Sequence, residues 1–268
     1  RHDGLLLVAA AFALYAALAP GVSGDGDGSE FTLVLATAGV PHPTGYPLYL
    51  LGGHAFVRAL HACGVGWARA SNLWSAVGAT LALFLMHALT RRLLAPAAGA
   101  AGRAPAARPA GRRGGGSGPK APGVVGRRVL ALVPPLLLLL NPIWTNEATL
   151  AEVYSWHAAW VMGVAWLFVR FFVDAPEEAG PRQGAAWGLL VGAGLAHHLT
   201  AVFVAAPLTL VLLFQKGLAA PRRVGLWAAA LAGGLVPLVA YGFIAWRATH
   251  PAAWQWPLLE PGWRGLYE

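Results

Sequence analysis

Three carboxylates fall within six residues in the stretch Gly24-Asp25-Gly26-Asp27-Gly28-Ser29-Glu30-Phe31. Like charges crowded on a glycine-rich turn repel one another unless a cation or a proton acceptor lies among them. Such a turn suits a general base or a metal site. The same spacing fits a capped helix start, with Asp27 in the place of the usual Ser or Thr and Glu30 three residues on. The two readings are compatible, because a capped start would hold Asp27 in position. A calcium-binding EF-hand loop is excluded, since its ligand spacing and distal Glu are missing.

Three further stretches carry polar groups in unusual settings. In Val40-Pro41-His42-Pro43-Thr44-Gly45-Tyr46-Pro47, two X-Pro restrictions stiffen the backbone around His42. That loop presents one imidazole, either for phosphate or hydroxyl recognition or as an exposed turn. In Ala151-Glu152-Val153-Tyr154-Ser155-Trp156-His157, helical spacing aligns Glu152 with Ser155 and Trp156, and puts Tyr154 and His157 on the neighbouring face. Glu152 reads equally as an interfacial anchor, because a polar residue costs little at the end of a span. In Gly194-Leu195-Ala196-His197-His198-Leu199-Thr200, two histidines interrupt an otherwise apolar run. Two adjacent His are a weak metal signal, since neighbouring side chains point apart.

The elements that must position these groups are apolar helices. The chain is 57% hydrophobic and 11% charged, against about 25% charged for a soluble protein. Mean hydropathy is +0.57. Runs of membrane-spanning length recur at Gly4 to Pro20, Asn72 to Thr90, Val129 to Trp144, Val153 to Val173, Ala185 to His197, Leu199 to Phe214 and Leu226 to Trp246, seven in all. The fold class is therefore all-α: a polytopic transmembrane helical bundle. Ser29 to Val40 and Leu48 to Leu60 read as helices lying along the outer membrane surface, so that 21 to 66 is an external loop.

If the chain starts inside, 15 of its 19 Lys and Arg are cytoplasmic and only Arg58, Arg69, Arg247 and Arg264 are not. Polar chemistry then gathers on the non-cytoplasmic face, with the acidic turn and most of the histidines. The two runs flanking His197-His198 are 13 and 16 residues long, so each leg covers only about 20 to 24 Å and the turn between them lies below the outer surface. Non-helical backbone at that depth lines a cavity or packs in protein, which favours a functional His198.

The net charge of +8 sits largely in Ala95 to Gly126, an Ala, Gly, Pro and Arg stretch without an acid. This composition buries no core and reads as a disordered cytoplasmic loop. A solvated linker is the default over an anionic-lipid or nucleic-acid contact, and no nucleic-acid partner is expected. The single cysteine, Cys63, excludes an intrachain disulfide and a CxxC motif and reads as a packing residue. Most of the Trp residues, Trp144 and Trp156 among them, read as an interfacial belt, and a few as surfaces on which a sugar ring stacks. The chain reads as one membrane-embedded domain, a piece of a longer protein.

Taken in order, Asp27-Gly28-Ser29-Glu30-Phe31, Gly39-Val40-Pro41-His42-Pro43-Thr44-Gly45-Tyr46-Pro47-Leu48, Asn72-Leu73-Trp74-Ser75-Ala76, Asn141-Pro142, Ala151-Glu152-Val153-Tyr154 with His157, and His198-Leu199-Thr200 resemble the domain-of-unknown-function family 2723. That family includes a lumenal O-mannosyltransferase acting on plexin-type receptors. The likeness runs from about Ser23 to Trp256. Two departures stand out: Gly28 and Ser29 are in the opposite order to the family's usual Asp-Ser-Gly-Glu, and His197 replaces an Asn, which puts a donor role at that position in doubt.

The resemblance implies a membrane glycosyltransferase of the GT-C class, taking a sugar, with mannose the candidate, from a polyprenyl-phosphate carrier. The acceptor would be a hydroxyl of a protein or a glycan on the non-cytoplasmic face. It implies Asp27 as general base, with Glu30 the second choice. His42, Arg69, His198 and Arg247 would bind the leaving phosphate, and Tyr46, Glu152, Tyr154 and His157 would line the sugar or acceptor site. Membrane lipid and the lipid-linked sugar are the expected partners. No metal ligand is assigned, and a divalent metal requirement stays open. The compartment would be an inner membrane of bacterial type, or the endoplasmic reticulum in a eukaryote. The competing class, a transporter or lipid-linked sugar flippase, would place acids or His in the middle of spans.

Overall fold

A computed structural model describes residues 2–24, 26–95, 123–174, 179–216 and 221–256. These residues are helical, without a strand: α1 (His2–Leu18), α2 (Asp27–Thr37), α3 (Pro47–Ala62), α4 (Trp67–Leu93), α5 (Val124–Leu139), α6 (Pro142–Thr149), α7 (Tyr154–Phe168), α8 (Pro181–His197), α9 (Val202–Lys216), α10 (Pro221–Leu238) and α11 (Tyr241–Thr249). A short π-helical stretch, Val169–Val173, extends α7, and a 3₁₀ turn, Leu199–Ala201, leads into α9.

Helix α4 is the hub, packing on α1, α3, α5, α6 and α7. Its buried residues are mostly small, including Ala70, Ser71, Ser75, Ala76, Gly78, Ala79 and Ala82. Small residues let helix backbones approach closely where lipid supplies no hydrophobic drive for association. At Gly78 the approach is so close that an added Cβ would strike the Trp156 ring and the Ser155 hydroxyl. A second close pair joins α8 to α10. There Gly184, Gly188 and Gly192 face the backbone carbonyls of Leu226, Ala230 and Gly234, with no room for a Cβ.

Among the described residues, three helices are long and apolar enough to cross a membrane: Trp67–Leu93, Tyr154–Val173 and Arg223–Thr249. The run Val129 to Trp144, expected as one straight span, is a bent pair: α5 and α6 meet at 71° and would together make a fourth crossing. The cause is local. The Asn141 side chain accepts hydrogen bonds from the backbone N–H groups of Ile143 and Trp144 at 2.9 and 3.1 Å, and Pro142 occupies the first helical position, so a new helix starts there. The shorter apolar helices are His2–Leu18 and Leu199–Gln215.

Other expectations change in detail. The arginine-rich loop lies mostly outside the described residues, as does Asp25, but Val124 to Gly126 belong to α5. Cys63 is an exposed free thiol at the end of α3 rather than a packed one. Trp144 is buried inside the fold rather than in a lipid-facing belt, donating its indole N–H to the Tyr15 hydroxyl at 2.9 Å. Trp156 is half-buried and donates to the Trp74 carbonyl at 2.9 Å. At the end assigned to the cytoplasm, Arg92 of α4 pairs with Asp174 beyond α7.

Candidate active site

The cluster is built from the ends of elements, beginning with the turn into α2. Asn72 of α4 donates to the carbonyls of Pro20 and Val22 at 3.0 and 3.2 Å, which holds the connection leaving α1. Asp27 is the first residue of α2, and the N-cap is Gly26, at φ 62°, with no side-chain cap. The capping-box geometry is therefore not formed. Glu30 turns instead to the next loop, where Oε1 accepts from the His42 backbone N–H at 2.6 Å and Oε2 lies 3.1 Å from His42 Nδ1. The other ring nitrogen, Nε2, is 3.1 Å from the Tyr46 hydroxyl. Asp27 makes no hydrogen bond among the described residues and stays exposed, so the two acids have separated: one is tied down and one is open. Asp27, Glu30 and His42 each offer a ligand atom within 4.8 Å of the others, and these O and N donors are of a kind that could hold a divalent cation.

Glu152 precedes α7 rather than lying on it, so its alignment with Ser155 on one helix face does not form. Its position comes from Ser75 of α4, whose hydroxyl donates to the Glu152 carbonyl at 3.1 Å and accepts from the Glu152 N–H at 3.0 Å. The carboxyl group is partly buried, and Oε2 has no hydrogen-bond partner. Burial above all, then the negative charges of Asp27 and Glu147, push its pKa up to about 7. Burial first, then Tyr154 and the acids Asp27, Glu30 and Glu152, push the Tyr46 hydroxyl up to about 12.

The break between α8 and α9 completes the cluster. His198 is extended, at φ −155° and ψ 129°, and its Nδ1 accepts from the Thr200 N–H at 3.2 Å and lies 2.7 Å from the Thr200 hydroxyl. These contacts assign the proton of the neutral ring to Nε2. Thr200 Oγ1 also meets His157 Nε2 at 3.2 Å. The His198 ring centroid lies 5.0 Å from that of His157, 5.3 Å from that of Tyr46 and 6.1 Å from that of Tyr154. Burial lowers the His198 pKa, and the neighbouring His42 lowers it further, so a neutral N–H donor is favoured. His197 is buried against Tyr49 and His157, facing the apolar side.

Eight of the ten residues singled out by the sequence therefore meet in one polar cluster: Asp27, Glu30, His42, Tyr46, Glu152, Tyr154, His157 and His198. The two arginines are engaged elsewhere. Arg69 donates to the carbonyls of Ala16 and Ala19 at 3.1 and 3.4 Å, satisfying the C-terminal end of α1. Arg247 donates to the His250 carbonyl at 3.1 Å and lies over the rings of Trp246 and Phe243. The segment after α11 returns to the site, with Trp256 N–H donating to the Val40 carbonyl at 2.8 Å and its ring 6.1 Å from His42. Sequence reasoning missed Ser75 and Thr200 as organisers. The available signal was a polar face, Ser71, Asn72 and Ser75, on an otherwise apolar helix.

An all-helical membrane bundle whose chemistry-bearing groups meet where its elements end is the class of protein defined so far. Over residues 27–220 the chain matches the family described as the Protein O-mannosyl-transferase TMEM260 N-terminal domain, and it belongs to that family. That kinship makes the chain a membrane glycosyltransferase. The likeness drawn from the sequence motifs agrees with this kinship, although the match carries that enzyme's name and not the domain-of-unknown-function label. All eight cluster residues fall inside the matched stretch, and Arg247 lies beyond it. Searches of curated proteins and of solved structures returned no match.

Proposed function

We propose that the chain transfers mannose from a polyprenyl-phosphate carrier to a Ser or Thr hydroxyl of a protein on the non-cytoplasmic face, by the inverting chemistry of GT-C enzymes. The observation that carries the proposal is the open Asp27 carboxylate in the same cluster as the His198 Nε2–H donor. The acceptor oxygen attacks the anomeric carbon and gives its proton to Asp27, while the bond from that carbon to the phosphate oxygen breaks. Negative charge then grows on the departing phosphate, and His198 Nε2–H and the Tyr154 hydroxyl donate to it. Glu152, half neutral near pH 7, sits in the cluster without adding a full negative charge against that phosphate.

The carrier supplies the remaining support. An apolar groove of about 320 Å³, lined by Tyr49, Trp74, Leu81, Trp156, Leu190 and His197 among others, runs beneath the cluster. A prenyl tail in this groove would bring its phosphate to the polar residues above. The test is purified protein in lipid vesicles, given polyprenyl-phosphate mannose with labelled sugar and a folded acceptor protein. Alkali-labile label on Ser or Thr is the expected result. Label arriving from a nucleotide sugar and not from the lipid would overturn the proposal.

A further inference from the structure

We infer that Glu30, His42 and Tyr46 form a hydrogen-bonded relay that fixes the direction of the Tyr46 hydroxyl, turning its oxygen toward the site as an acceptor for a hydroxyl of the transferred sugar. This rests on the transferase reading above and assigns Glu30 and His42 a task other than proton abstraction or phosphate binding. They are positioning residues, and Tyr46 is the group that touches substrate.

The direction follows from what each group is able to do. A carboxylate only accepts, and Glu30 accepts twice from His42, through its backbone N–H at 2.6 Å and its ring Nδ1 at 3.1 Å. Nδ1 of the neutral ring thus carries the proton. Nε2 carries the lone pair and accepts from the Tyr46 O–H, 3.1 Å away. With its own hydrogen committed, the phenol oxygen offers only lone pairs to a ligand. The triad is packed: Phe31 stands edge-on to both His42 and Tyr46 at centroid distances of 5.8 and 5.6 Å. Tyr46 is buried, its ring approaches His198, and its backbone is held at φ 44°, a left-handed conformation that an aromatic residue rarely adopts.

An acceptor in this position matters to the rate. As the bond to phosphate breaks, positive charge builds on the sugar ring, its hydroxyls become better donors, and a hydrogen bond from one of them to Tyr46 strengthens in the transition state. A donor in the same place would weaken. Reversing the relay therefore lowers kcat while leaving the number of hydrogen bonds to bound sugar, and so KM, nearly unchanged.

Glu30→Gln performs that reversal. The amide oxygen keeps the His42 backbone N–H, its NH₂ donates to Nδ1, and the ring proton moves to Nε2, so that Tyr46 must donate outward. Two readouts on the full chain in lipid test it. Nitrogen NMR of ¹⁵N-histidine protein, with the His42 signals identified by their loss in His42→Gln, shows Nδ1–H in the wild type and Nε2–H in Glu30→Gln. Transfer kinetics show kcat about tenfold lower in Glu30→Gln with KM within about twofold, and no further loss when Glu30→Gln is added to Tyr46→Phe. An unchanged His42 tautomer, or losses that multiply in the double variant, would overturn the relay. So would Mn²⁺ binding by the wild type that disappears in Glu30→Gln, because Glu30 would then be a metal ligand. Should the wild type transfer no mannose, the tautomer arm still tests the relay independently of the enzymatic proposal.

Discussion

The junction at the ends of α2, α7 and α8 and the contact between α8 and α10 solve opposite problems. At α8 and α10 the helices meet backbone to backbone along Gly184, Gly188 and Gly192, with apolar side chains such as Trp187 and Leu226 packed beside them. At the junction, hydrogen bonds between side chains and distant loops do the holding: Asn72 to Pro20 and Val22, Ser75 to Glu152, Glu30 to His42, Thr200 to His157. Main-chain packing is rigid and indifferent to protons. Polar anchoring is directional and sensitive to charge, so the second region is where chemistry can be tuned and the first is what holds it still.

Substitutions in the two regions should therefore fail differently. Gly188→Leu would drive a side chain into the Ala230 carbonyl and separate the helices. Overpacking costs about 1–3 kcal/mol, which is roughly 2–12 °C in the unfolding midpoint for a chain of this size. Thermal unfolding in detergent reads that drop, and the surviving folded protein should keep its kcat/KM. If the fold tolerates Leu at full stability, the comparison is broken on the packing side.

Ser75→Ala removes both hydrogen bonds to the Glu152 backbone. At about 0.5–1.5 kcal/mol net for each bond, transfer should slow by about tenfold, with a smaller change in melting than Gly188→Leu. The reverse pattern, a large melting change with unaltered transfer, would make Ser75 a packing residue only.

Glu152 gives the most specific effect, one that depends on pH. Its pKa in the folded chain is raised to about 7, so folding disfavours its charged form. The stability tied to the neutral form is complete below the ordinary carboxylate range and is lost as pH rises through about 7. Glu152→Gln cannot ionise and should gain stability relative to the wild type as pH rises from about 4.5 to about 8, a trend visible in paired melting curves. A difference that does not vary with pH would remove Glu152 from the burial and charge environment described above.

The sequence exposed the junction because a lipid-facing chain has few places for polar groups, and Asp27, His42, Glu152 and His198 all stand where apolar runs end. It exposed the organisers poorly. A hydroxyl on an apolar helix usually bonds its own turn, as Thr80 does with Ala76 and Thr90 with Met86, and the only local sign that Ser75 differs is the polar face it shares with Ser71 and Asn72. The two arginines stand apart for a related reason: a guanidinium near a span end suits a phosphate, and in this structure a backbone carbonyl engages each, with aromatic rings beside Arg247. The bend at Asn141-Pro142 was legible as chemistry, an N-cap followed by a first-turn proline, yet the continuous apolar run on either side masked it.

Asp27 is the point on which the catalytic account turns. In Asp27→Asn the open carboxylate becomes a neutral amide of the same shape, and loss of a general base typically costs about 10²–10⁴ in rate. Mannose transfer from polyprenyl phosphate should fall by that factor while membrane insertion, melting and binding of the lipid donor remain those of the wild type. Transfer at the wild-type rate in the Asp27→Asn variant would contradict the account and move the base to another member of the cluster.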